Sequence, residues 1–267
     1  KFLEAEKMIS ENPREALEML KDEKDFIGLN YDSRIALISK AKKTLAPLVK
    51  IQWEDHTAKI NAGKDVEPFN LDLASEVLPT EVVNKMIEQE SLYRETSDNR
   101  KIILTSSNKV VNEVVEGFIN EAEENFGQKE FERIKDYYNG ILEQRNKDLN
   151  SDPVQFLITT NDEIESLVME IDNETNVEKT TALQLELSNI LINKQNELGV
   201  HPSKQKVMTN SMAKNFINNY NLASQEKDIN KQFNMLSALE VQYGDLEPQV
   251  FAQLMHAGLP QGAKFLS

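Results

Sequence analysis

The run between Ser107 and Gly127 sets the terms for the whole chain. Val110, Val111, Val114, Val115, Phe118, Ile119, Ala122 and Phe126 recur at intervals dominated by three and four, the repeat of one face of an α-helix. Nowhere does apolar alternate with polar for long enough to make a half-buried strand. Glycine and proline number only 9 and 8 in 267 residues, so turns are few and helices long. The expected fold is all-α: an elongated multi-helix bundle of roughly ten helices, mostly antiparallel neighbours joined by short loops.

Three regions are expected along the chain. In residues 1–63, Asn12 and Pro13 give an N-cap followed by proline at the first helical position, and Ala16, Leu17 and Leu20 supply the stripe. Asp32 and Ser33 read as the cap of a long helix through Ile35, Ile38, Ala41, Leu45, Leu48 and Val49, where Pro47 predicts a kink or a break. Residues 64–150 begin with a connector around Pro68 and Pro79. Thr80 then reads as the cap of a helix that turns Val82, Val83, Met86 and Ile87 inward and ends near Asp98. The 107–126 stripe follows, with Gly127 at a left-handed C-cap position, and Phe131, Ile134, Tyr138, Ile141, Leu142 and Leu149 complete an antiparallel hairpin. In residues 151–267, Asp152 and Pro153 repeat the cap-plus-proline signal, and Asn161 or Asp162 opens the next helix. A helix from Thr181 ends at Gly199, His201 and Pro202 mark a turn, and further helices reach the C-terminus.

Charge and composition exclude several function classes. The formal charge is −15, and only residues 1–60 are balanced, with 11 basic and 11 acidic side chains; residues 61–150 carry 11 against 19 and residues 151–267 carry 8 against 15. An acidic body repels phosphodiester polymers, so tight DNA binding is not expected. Cysteine is absent, which removes disulfides, thiolate metal sites and a cysteine nucleophile. No apolar run reaches the roughly 18 residues of a membrane span, and no secretory leader is visible. Lys1 in place of an initiator methionine is what a processed product or an excerpt of a longer protein would show.

Each candidate chemical group has a plainer reading beside it. Glu90 and Ser91, on a helix with apolar residues before them, match the opening of the active-site motif of lysozyme-like lytic transglycosylases. Those enzymes continue into a glycine-rich turn, whereas residues 98–103 contain no glycine, so an ordinary helical glutamate is the alternative. His56, His201 and His256 are too far apart to show metal-ligand spacing. Asp172, Asn173, Glu174, Thr175 and Asn176 have the composition of a calcium loop, but Val177 and Leu183 stand where its glycine and terminal glutamate belong. Lys40, Lys42, Lys43 and Lys50 share a helix with Trp53 and make a small basic face. Met86, Met208, Met212, Met235 and Met255 lie in apolar stripes that read first as core. No catalytic, cofactor-binding or metal-ligating residue is assigned.

The C-terminal order is a helix from Met235 stopped at Tyr243 and Gly244, then a helix through Val250, Phe251, Leu254 and Met255 stopped at Gly258, Leu259 and Pro260. Together with the run from Asn12, Pro13, Arg14 and Glu15 through Ala16, Leu17, Glu18 and Met19 to Leu20, the connector Phe26, Ile27, Gly28 and Leu29 with its following long helix, and Asp152, Pro153, Val154, Gln155, Phe156 and Leu157, this order resembles the helical regions of tailed-phage internal virion proteins. That resemblance implies a large helical protein stored inside the virion and ejected ahead of the genome, assembling into a conduit through the host envelope. It implies self-association, contact with other virion and ejection proteins, and passing proximity to DNA without tight binding. Some members carry a transglycosylase domain elsewhere; the departure at residues 90–103 gives this chain no catalytic residue by carry-over. A cellular helical interaction or scaffold module, which would be cytoplasmic, would show the same stripes, and a peptidoglycan-lytic enzyme is the third alternative.

Overall fold

The computed structural model describes residues 1–22 and 24–265, and these are predominantly helical, with no strand among them. The all-α class is as expected, but helices α1 to α14 exceed the roughly ten read from the stripes. The chain divides into two compact units, residues 1–97 and 98–267.

The first unit is built on one spine. Helices α1 (Phe2–Glu11) and α2 (Pro13–Lys21) precede α3 (Tyr31–Asn61), and α4 (Leu71–Val77) and α5 (Thr80–Glu95) follow it. Asn12 Oδ1 accepts from the Glu15 N–H at 3.3 Å, the expected cap of α2. The cap of α3 is not Asp32 or Ser33 but Asn30, whose Oδ1 accepts from the Ser33 N–H at 2.7 Å. On α3 the expected Ala41, Leu45 and Val49 are buried, joined by Leu37, Trp53, His56 and Ile60, while the expected Ile35 and Leu48 are exposed. Steps of four leave about 40° of rotation each, so this seam winds around the rod; α3 packs against α1, α2 and α4, and reaches α5 through His56 and Glu90. Pro47 does not break α3. It is solvent-exposed, so the carbonyl deprived of its partner can be hydrated. Lys21 Nζ donates to Glu76 Oε2 at 2.6 Å and ties α2 to α4.

In α5, Thr80 is the first helical residue rather than a capping side chain; Pro79 occupies the N-cap position. Val83, Met86, Glu90 and Tyr93 are buried, but Ile87 is not: it is 47 % exposed. The helix stops at Glu95, short of Asp98, and Thr96 Oγ1 turns back to the Leu92 carbonyl at 2.7 Å.

The second unit holds α6 (Ser97–Thr105), α7 (Val111–Asn125), α8 (Gln128–Ser151), α9 (Pro153–Thr160), α10 (Asp162–Asn173), α11 (Val177–Glu197), α12 (Asn210–Gln225), α13 (Ile229–Tyr243) and α14 (Glu247–Ala257). The α7–α8 hairpin forms as expected, with Phe118 and Tyr138 ring centroids 5.8 Å apart. Gly127 is not left-handed. Its φ of −70° and ψ of 158° make it the extended N-cap of α8, and the extended Phe126 before it completes a turn that needs no positive φ. Asp152 Oδ1 accepts from the Gln155 N–H at 3.2 Å, and Asn161 caps α10.

Two apolar cores form here. Leu104, Leu149, Phe156, Leu157, Ile164 and Leu191 gather α6, α8, α9, α10 and α11. Ile217, Tyr220, Leu236, Leu239, Val250 and Leu254 gather α12, α13 and α14. Between α11 and α12, residues 205–209 run without regular backbone pairing, and two glutamines replace it. Gln195, fully buried, accepts from the Lys206 N–H at 2.9 Å and donates to the Lys206 carbonyl at 2.7 Å. Gln253 accepts from the N–H groups of Val207 and Met208 and donates to the Met208 carbonyl at 2.6 Å. Each amide thus satisfies backbone groups that would otherwise be buried and unpaired. Gly244 and Gly258 end α13 and α14 with φ of 52° and 111°, where other L-residues are strained.

Candidate functional site

The second half of α3 and α5 bring together the one group of charged side chains buried among the described residues of the first unit. Glu90 is 7 % exposed and His56 is 8 % exposed. His56 Nε2 lies 2.8 Å from Glu90 Oε2, and Arg94 holds the other oxygen with Nε at 3.0 Å and Nη2 at 2.7 Å. Arg94 Nη1 donates to the Val66 carbonyl at 2.9 Å, which fastens the connector before α4 to α5. An ionised carboxylate only accepts, so the His56 nitrogen facing it carries the proton. Trp53 stacks near His56 with centroids 5.5 Å apart, and Phe69 closes over both at 5.0 and 5.3 Å.

These contacts decide what Glu90 can do. Burial pushes its carboxyl upward, but the hydrogen bonds and charges of His56 and Arg94 outweigh burial and hold it below the usual carboxylate range. A glycosidic general acid needs the reverse, a carboxyl that keeps its proton near neutral pH. Both Glu90 oxygens already accept from protein donors. The cluster is built as an ionic clamp between α3 and α5. The spacing of Glu90 and Arg94, four apart on one helix, was readable as a pair; His56, 34 residues away, gave no such signal.

The other sequence candidates are dispersed. His201 Nδ1 lies 2.8 Å from Ser203 Oγ in the turn after α11, and His256 lies on exposed α14 surface. Glu174 is engaged within its own loop, accepting from the Thr175 and Asn176 N–H groups at 2.9 Å each and pairing with Lys179 at 2.7 Å. The Lys179 ammonium and the Asn176 N–H hold its carboxyl at about 2. Among the described residues no group of three or more His, Asp or Glu side chains is placed to hold a metal ion. The basic face of α3 is interrupted: Lys40 pairs with Glu6, Lys42 lies 3.9 Å from Glu76, and Trp53 is buried among His56 and Phe69 rather than beside the lysines. Met86 and Met208 are core, whereas Met212 is exposed.

The second unit adds a buried cation that sequence reading passed over. Arg145 is 1 % exposed; Nη1 donates to Asn108 Oδ1 and Asn146 Oδ1, each at 2.9 Å, and Nη2 donates to the Ser106 carbonyl. Burial pulls its guanidinium down to about 10. These bonds fix the loop between α6 and α7, which Asn108 also joins to the end of α11 through the Leu198 and Gly199 carbonyls. Comparison with protein-family models, with curated proteins and with solved structures finds no match.

Proposed function

We propose that this chain is a non-enzymatic structural component of a phage ejection apparatus, working through the docking of its helices and not through a reactive centre. The observation that carries the non-enzymatic part is the state of Glu90. The one carboxylate with a motif-level claim to chemistry is buried, doubly bonded and biased toward ionisation. The order of capped helices that resembles internal virion proteins supports the role in ejection. The helices α2, α9, α13 and α14 contain most of the residues on which that resemblance rests.

Physical requirements of ejection agree with the chain. A protein that passes a narrow portal benefits from lacking disulfides and from helices that open locally and re-form. A conduit wall for DNA benefits from a formal charge of −15, since a basic lumen would hold the phosphates. No helix among the described residues is long and apolar enough to cross a membrane, so a conduit role would rest on assembly with copies or partners. Tyr31, Ile51, Val177 and Val241 are large apolar side chains left in solvent and are available for such contacts. Mass spectrometry of purified particles tests the proposal. Peptides of this sequence co-purifying with capsids are the expected result; their confinement to uninfected cells would favour a cellular scaffold module and overturn it.

A further inference from the structure

The loop after α11 sets two ammonium groups against the C-terminal end of α8. Lys204 Nζ donates to Asn150 Oδ1 at 3.2 Å, and Lys206 Nζ donates to the Ser151 carbonyl at 2.7 Å and to Asn210 Oδ1 at 2.8 Å. A helix C-terminus carries about half a negative charge, so two ammonium groups exceed it about fourfold. Among the described residues, no carboxylate forms an ion pair with either lysine. Both retain N–H donors beyond those used.

These lysines form one wall of a cleft of about 560 Å³, within the size range of small-ligand sites. The other wall is α14, where Gln249, Ala252, Gln253 and His256 share a face at helical spacing. Gln253 is committed to the backbone of Val207 and Met208. The side chains of Gln249 and His256 make no hydrogen bond or ion pair with any described residue, and the small Ala252 leaves room between them. No Asp or Glu lines this cleft, although acidic side chains outnumber basic ones 45 to 30 in the chain.

We propose that this cleft binds a compact phosphate-bearing anion, gripped by Lys204 and Lys206 from one side and by Gln249 and His256 from the other. Ammonium groups and neutral donors suit phosphate oxygens, and the missing carboxylates remove the repulsion found elsewhere on the surface. The ligand is compact because a long phosphodiester would leave the cleft and run over a region with 15 acidic and 8 basic side chains. Neither the ejection role nor the Glu90 clamp is needed for this site. Two sources share the chemistry: a soluble phosphate ester and the phosphate headgroup of a lipid.

The test is isothermal titration of the full chain with sodium pyrophosphate, repeated for Lys204→Gln, His256→Gln and a control, Lys214→Gln on α12. Saturable one-site binding is expected, weakened about tenfold by Lys204→Gln through loss of a charge-assisted contact, and unchanged in the control. Urea midpoints equal to that of the unaltered chain show that each variant is folded. A second arm uses phosphatidic acid vesicles against phosphatidylcholine vesicles. Sedimentation with the former, displaced by pyrophosphate, assigns the headgroup, while binding of pyrophosphate alone assigns the soluble ester. Absence of saturable binding in the unaltered chain, or binding by Lys204→Gln and His256→Gln as tight as that of the unaltered chain, overturns the proposal.

Discussion

Replacing Glu90 by glutamine is expected to weaken the first unit by about 2–4 kcal/mol at neutral pH. The carboxylate accepts from His56 at 2.8 Å and from Arg94 at 3.0 and 2.7 Å. Glutamine has one acceptor oxygen, so its amide N–H₂ must face either the imidazole or the guanidinium. Each charge-assisted bond contributes about 1.5–3 kcal/mol, offset by the cost of burying the carboxylate, which the variant avoids. Arg94 is half exposed and recovers water; His56 is buried and does not, so its lost bond dominates. The sign with pH follows from the depressed carboxyl. Its stabilisation is present above the ordinary value of 4.5 and is lost as pH falls through the lower folded value. The gap between the two proteins must therefore narrow on acidification. Trp53 is the only tryptophan, and its ring centroid lies 5.5 Å from that of His56, so its fluorescence during urea unfolding reports on this unit. A loss under about 0.5 kcal/mol, the size of an ordinary surface substitution, or a loss constant from pH 7 to about pH 3 would refute the clamp.

Gln195→Leu should cost about 2–4 kcal/mol, because it strands the Lys206 N–H and carbonyl in a buried site; urea unfolding followed by circular dichroism measures it. Asp152→Ala should cost about 2 kcal/mol, more than a simple cap, because Oδ1 caps α9 while Oδ2 accepts from the Asn210 N–H at 2.7 Å. Leu254→Ala, at a fully buried position, should cost about 3 kcal/mol by the same assay. Calcium at millimolar concentration should leave the melting temperature unchanged, since Glu174 is bonded to its own loop and to Lys179; a rise would contradict that reading of residues 172–176.

Local signals were legible in the sequence and distant ones were not. Asn12 with Pro13 and Asp152 with Pro153 state a cap in two adjacent residues, and both caps form. Gly127 misled because glycine serves left-handed and extended backbone alike, and only the geometry of the α7–α8 turn chooses. Helix α1 was missed because just Ala5 and Ile9 of its ten residues are buried, too few to make a periodic stripe. The break at Thr96 between α5 and α6 carries no glycine or proline to announce it. On α3, Ala41, Leu45 and Val49 of the buried seam were legible, but Ile35 and Leu48, which share helical spacing with them, face solvent. The site was legible only in half: Glu90 drew notice from a motif, while His56 and the glutamine clasps depend on contacts across 34, 11 and 46 residues. No local pattern encodes those.

The proposed role is tested most directly by following the chain through ejection itself. Particles would be purified, triggered to release their genomes, and assayed by quantitative mass spectrometry for this polypeptide in capsids and in receptor-bearing envelope vesicles. The chain is expected to leave the capsid with the genome and to reappear in the vesicle fraction as an assembly larger than its 30.5 kDa monomer. Retention in emptied capsids, or absence from particles at the outset, would contradict the account.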